Sequence, residues 1–144
     1  MSLPGSMSGP ASVEPDHRAD VELRLPADSA YVSVLRTTTA GLAARLDFPI
    51  DDIEDLRIAV GEASAMVLPE ADEEADLWCR FYLGSGELTV TVGVSATRAP
   101  AQPDYDSFAW QVLSTLATSA AADTTDGAYT VRLTMVPGHL GAGL

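Results

Sequence analysis

Residues 51–68, DDIEDLRIAVGEASAMVL, decide the reading of the fold. Ile53, Leu56, Val60, Ala63 and Val67 recur at steps of three and four, which places them on one face of an α-helix. Asp51 stands where an N-cap would accept the first free amides, and Glu54 three residues on completes a capping-box pattern. Glu62 falls on roughly the opposite face, with Ile58 and Met66 one turn to either side of it. A solvated back face is normally polar, so the spacing predicts a helix covered on both sides. A carboxylate in such surroundings is either a pocket residue or a surface Glu reaching for water, and spacing alone leaves both open.

Upstream, Val21, Leu23 and Leu25 alternate with Glu22 and Arg24 in a half-buried strand that Pro26 ends. Asp28 or Ser29 can cap a helix running to about Leu46, with Tyr31, Val34, Leu35, Thr38, Leu42 and Leu46 as its core stripe. Ser33, Arg36, Ala40 and Ala43 lie on its other side. A face of small residues around one Arg lets another backbone come close while the guanidinium forks onto a carboxylate. The plainer alternative is a solvated face with an ordinary Arg. Phe48-Pro49 breaks the chain before the central helix.

Downstream, residues 70–76 hold five acids in seven positions but lack the ligand spacing and glycine of a calcium loop, so they read as a solvated connector. Leu77, Cys79, Phe81 and Leu83 alternate with Trp78, Arg80 and Tyr82. Gly84-Ser85-Gly86 then turns into a strand with Leu88, Val90, Val92 and Val94 on one face, which makes a hairpin. Cys79 lies on the apolar face and reads as a small core residue. Residues 97–104, with two prolines, form a loop. Asp104 or Asp106 is expected to start a helix through about Ala121, with Phe108, Val112, Leu113 and Leu116 inward. Trp110 flanks that stripe, either packed under the preceding loop or anchoring a partner. Asp126-Gly127 is a turn, and Tyr129, Val131, Leu133 and Met135 form the last strand.

The predicted order is strand, helix, helix, strand, strand, helix, strand. It gives a two-layer α/β sandwich, a mixed and mostly antiparallel sheet covered on one face by three helices. The domain is read as residues 21–136, between a flexible N-terminal arm (1–20) and a flexible tail (137–144). His17 and His139 fall in those segments, so neither is a credible catalytic or metal residue.

The composition narrows the partners. The 144 residues carry a net charge of −13, and all eight basic residues are Arg. Such a field repels nucleic acid and anionic membranes, yet it leaves open the basic face of a DNA-binding protein. One cysteine excludes an internal disulfide and fits a reducing compartment. No apolar run approaches the roughly 20 residues of a membrane span, and the first residues lack the pattern of a signal peptide. The expectation is a cytoplasmic domain.

The run AVGEASAMVL resembles the N-box of the ATP-binding fold shared by gyrase, Hsp90, histidine kinases and the RsbW/SpoIIAB anti-sigma factors, the Bergerat or GHKL type. In that pattern a helix carries a catalytic Glu and, four residues later, a magnesium-binding Asn. IEDLRIAVGEA, with a preceding helix that bears an Arg at the place of Arg36, is similar to the anti-sigma branch. DSFAWQVLSTLA resembles the mycobacterial, UsfX-like members. The resemblance covers about residues 21–136 and implies a GHKL-type sandwich.

Its departures set the mechanism. Glu62 matches the catalytic Glu, the general base, but Met66 stands where the Asn should be, and a thioether does not hold a hard cation. Val94 and Ala96 take the places of the adenine-binding Asp and first Gly of the next motif. Ser107 and Ala109 occupy glycines whose bare amides would meet phosphates, beside bulky Phe108 and Trp110. The resemblance therefore implies an anti-sigma factor that sequesters an alternative sigma factor and is released by an anti-anti-sigma (STAS) partner, with a degenerate nucleotide pocket, no metal and no cofactor. Arg36, with Ser33 and Ala40 beside it, is the implied partner contact, and a homodimer is the implied assembly. The alternative is an ATP-dependent serine kinase of the anti-anti-sigma protein with Glu62 as base and Mg-ATP bound. A third reading is a relic that only scaffolds another regulator.

Overall fold

In the computed structural model, which describes residues 18–138, the chain runs β1 (Val21–Pro26), α1 (Val32–Arg45), α2 (Ile50–Val67), β2 (Asp76–Gly84), β3 (Glu87–Ser95), α3 (Phe108–Leu116), β4 (Ser119–Asp123) and β5 (Ala128–Met135). The readings made for residues 1–17 and 139–144, including His17 and His139, lie outside the described residues. The strands form one sheet in the order β1-β2-β3-β5-β4. Every neighbouring pair is antiparallel, which corrects the expectation of a mixed sheet. The fold is α/β, with three helices and a five-stranded antiparallel sheet.

Alternation decides which strand face is dry. Leu77, Cys79 and Phe81 of β2, Leu88, Val90, Val92 and Val94 of β3, and Val131 and Leu133 of β5 are fully buried. The central helix α2 packs on β3 and β5 and is flanked by α1 and α3. Leu56, Val60, Ala63 and Val67 of α2 are fully buried, as the three-four spacing requires, and Ile53 is nearly so. Full burial of each Leu or Val among them contributes about 1.5–3 kcal/mol. The back of α2 is only partly covered: Met66 is buried, whereas Ile58 is 47% exposed.

Three local readings are corrected. First, α2 begins two residues earlier than an Asp51 cap implies, with Pro49 at the N-cap and no side-chain cap; Asp51 and Asp52 lie inside its first turn. Carboxylates there still favour the positive end of the helix dipole. Their crowding has a cost, because Asp55 is held above the ordinary carboxylate range by burial and then by Asp52 and Asp51.

Second, α1 is rotated by about one position from its expected stripe. Val32, Leu35, Thr39 and Ala43 are buried, while Tyr31 and Val34 are each 41% exposed. Leu42 and Leu46 are half-buried. The inward side pairs Val32 and Leu35 with the smaller Thr39 and Ala43, which let α1 lie close to α2. The Thr39 hydroxyl is satisfied by donating to the Leu35 carbonyl at 2.8 Å. Asp28 does act as a cap, accepting from the Ala30 amide at 2.8 Å at the short 3-10 turn before α1.

Third, α3 is a nine-residue helix capped by Ser107, not by Asp104 or Asp106, and it ends at Leu116. The expected helix runs to about Ala121, but Ser119–Asp123 form the edge strand β4 against β5. Leu113 is buried as expected, but Phe108 is 76% exposed. Trp110 packs edge-on against Tyr105 of the preceding loop, with ring centroids 5.1 Å apart.

The expected turns are present. Gly86 (φ +75°) closes the β2–β3 hairpin, and Asp126 (φ +59°) with Gly127 (φ +74°) turns β4 into β5. The ordered contacts reach slightly past residues 21–136 at both ends. The Asp20 carboxylate accepts the Leu83 amide at 2.8 Å, and the Gly138 amide donates to buried Asp52 at 2.8 Å.

Candidate functional site

Two depressions open beside the back of α2, one toward α1 and one toward α3. On the α1 side, Arg36, Glu54, Arg57, Ile58 and Glu62 line a shallow surface groove. Arg36 reaches α2 where Gly61 has no side chain: a Cβ there would stand 2.7 Å from Nη2 and 2.9 Å from Nε. The guanidinium is thus held flat against a bare stretch of helix, half-buried, with no ion pair among the described residues. Glu54 is engaged at long range by Arg57, with 3.9 Å between Nε and Oε1. Ser33 is exposed and Ala40 half-buried on α1 on either side of Arg36 in sequence. The groove therefore offers an Arg fork, an exposed Ile and two carboxylates, a set suited to a polar protein surface rather than to an enclosed substrate.

On the α3 side lies a cavity of about 170 Å³ lined by Ala65, Met66, Pro69, Glu70, Pro100, Asp104, Ser107, Ala109 and Tyr129. The structure brings Met66, Ser107 and Ala109 together there. Glu62 is not among the lining residues; it belongs to the Arg36 groove one turn away. Val94 and Ala96 are buried in the core, 0% and 2% exposed, and line neither depression.

No basic side chain lines the cavity. Its charged groups are the carboxylates of Glu70 and Asp104. The Tyr129 phenol, 3% exposed, is pushed above its ordinary range. Burial is the main cause; a backbone bond from Asp104 pulls the other way, and the charges of Glu70, Asp104 and Tyr105 add to the rise. The start of α3 is also occupied from within, since Ser107 Oγ accepts the Trp110 amide at 3.1 Å and donates to the Asp104 carbonyl at 2.9 Å. A helix N-terminus binds an anion through free amides, and here a side chain has taken one of them.

Tyr129, Glu70 and Asp104 were not singled out in the sequence as pocket residues. Glu70 had a readable signal, because it follows Met66 by four residues on a continuing helical path. Tyr129 had none, since its alternation with Val131 and Leu133 marks it simply as core.

No protein-family model matches the chain. It is similar to curated proteins named serine-protein kinase RsbW. It is 36% identical to the protein of Bacillus cereus strain B4264 over 78 residues, which is 54% of this chain and 43% of that relative. The Bacillus mycoides strain KBAB4 protein is 35% identical over the same length and shares, as is the Bacillus anthracis strain CDC 684 protein. The chain thus spans less than half the length of these relatives in the matched region. Over that region it is similar to proteins named serine-protein kinase RsbW.

Proposed function

We propose that the chain is an anti-sigma regulator that acts by binding alone. It adopts the Bergerat type of two-layer sandwich and sequesters an alternative sigma factor through the Arg36 face. An anti-anti-sigma protein of STAS type competes for the same face and releases the sigma factor. The domain that does this is residues 21–136 with its immediate flanks, working in the cytoplasm as a homodimer.

The observation that carries this reading is the chemistry of the Met66–Ser107–Ala109 cavity. A nucleotide triphosphate with magnesium needs cationic or amide donors for its phosphates and oxygen ligands for its metal. This cavity supplies two carboxylates, a thioether and a helix start whose amide is already capped. Mg-ATP does not fit that donor set. Glu62, the one retained catalytic-type residue, lines the neighbouring groove with Arg36 instead, where a carboxylate serves recognition. Half-buried Arg36, with no ion pair among the described residues, can pair bidentately with a carboxylate of the sigma factor.

The relatives are named serine-protein kinases, which favours one competing reading, a kinase, whose substrate the resemblance would make the anti-anti-sigma protein. Titration calorimetry separates the two. The full chain is titrated with Mg-ATP and, in its absence, with alternative sigma factors of the source organism. The expected result is a sigma complex formed without nucleotide and no saturable heat with Mg-ATP at millimolar concentration. Saturable Mg-ATP binding, with ADP formed when a STAS partner is added and lost in Glu62→Gln, would overturn the binding-only reading.

A further inference from the structure

Away from the helices, the open face of the sheet carries a separate cavity of about 560 Å³, lined by Glu87 and Thr89 of β3, Arg132 and Thr134 of β5, residues 118–121 around β4, and Val136. Its size is within the range of small-molecule sites. The strand register orders its chemistry in rows. Thr89, Thr134 and Ser119 are opposite one another, and the next same-face row holds Thr91, Arg132 and Ala121. Glu87 lies one same-face step from Thr89 in the other direction. Arg132 and Glu87 therefore flank the threonine row, their backbones separated along the strands by four residues or ~14 Å.

The middle of this cavity is rich in donors. Thr89 and Thr134 hydroxyls lie 2.8 Å apart and share one proton between them, which leaves the other to be donated. Thr89 is 1% exposed, so this hydroxyl pair is fixed rather than free to turn into water. Thr118 Oγ1 accepts the Val136 amide at 2.9 Å, so its own proton points elsewhere. Arg132 is exposed and makes no ion pair among the described residues. At the far rim Glu87 folds its methylenes across Gly84, where a Cβ would stand 3.0 Å from its Cγ.

We infer that this cavity binds an elongated zwitterion of the ω-amino acid or dipeptide type, with its carboxylate on Arg132 and its ammonium on Glu87. A bare carboxylate would meet Arg132 equally well, but it would have to approach a chain of net charge −13. A molecule with no net charge escapes that repulsion and satisfies both rims. Two charges on a flexible linker of several atoms span the threonine row, whereas an α-amino acid is too short to do so.

The test is an amide-resolved NMR titration of the full chain with ε-aminocaproate, caproate and hexylamine. ε-Aminocaproate is expected to give saturable shifts at Thr89, residues 118–121, Arg132 and Thr134, with the two singly charged probes at least about tenfold weaker. Arg132→Gln and Glu87→Gln lie on the surface and should keep the circular dichroism of the parent while each weakens binding about tenfold. Caproate binding as tightly as ε-aminocaproate would reduce the cavity to a general anion site and overturn the proposal. Absence of saturable shifts, or an affinity unmoved in both variants, would overturn it as well.

Discussion

Arg36 of α1 lays its guanidinium over Gly61 of α2, with Nη2 2.7 Å from where a Gly61 Cβ would be. A glycine in the middle of an 18-residue helix normally destabilises it by roughly 1 kcal/mol against alanine. The helix accepts that cost where it gives Arg36, which has no ion pair among the described residues, a flat seat. Gly61→Ala should therefore leave stability unchanged or raised, because only the flexible end of Arg36 has to move. Partner affinity should fall, since the fork loses its position. In a double-mutant cycle with Arg36→Ala, the pair should lose no more affinity than Arg36→Ala alone. Unchanged binding in Gly61→Ala, or additive losses, would show that the seat has no part in recognition.

On the opposite side of the sheet Trp78 occupies the place of another missing side chain. Its indole lies on Gly93, where a Cβ would collide with the ring and stand 2.8 Å from Cε2. Arg80 covers the outer face of the ring, its Cζ 4.3 Å from the ring centroid. Gly93→Ala must expel the indole from β3, and overpacking of this kind costs about 1–3 kcal/mol. Urea unfolding of Gly93→Ala in a Trp110→Phe background measures that cost, and the remaining fluorescence should shift to the red as Trp78 enters water. An unshifted spectrum with parental stability would mean that the ring has room to slide aside.

These contacts mark the border of what the sequence could tell. Strand faces were legible because alternation and burial are the same fact in a sheet with one dry side: Leu88, Val90, Val92 and Val94 can point only one way. The α2 stripe was legible for the same reason. The rotation of α1 was not, because Tyr31 and Val34 outweigh Val32, Thr39 and Ala43 in any count of apolarity, while the actual constraint is how closely two helices approach. Residues 119–121 read as helix because alanine favours it, and pairing with β5 overrides that preference. Of the site, Arg36 and Met66 could be named from spacing and resemblance. That Glu62 sides with Arg36, and that Tyr129 closes the cavity beside Met66, depends on helix rotation and on the register of β5, which no local pattern encodes.

Cys79 gives a pH dependence with a defined sign. It is fully buried at the centre of β2, and burial pushes its thiol from 9.0 up to about 12. Between those values the unfolded chain releases the thiol proton and the native chain keeps it, so the native state binds more protons. Stability then falls as pH rises through this window, by about 1.4 kcal/mol per pH unit from this group alone. Below pH 9.0 both states hold the proton, and the group contributes no slope. Cys79→Ala loses some packing at every pH but removes the alkaline slope. The stability gap between parent and variant, taken from urea unfolding at about pH 8 and about pH 10.5, should therefore shrink at the higher pH. Thiol labelling supplies the second reading: the native protein should react only as fast as it opens, and urea should accelerate the reaction strongly. A gap that stays constant with pH, together with rapid labelling of the folded chain, would mean that the thiol reaches water in the native state.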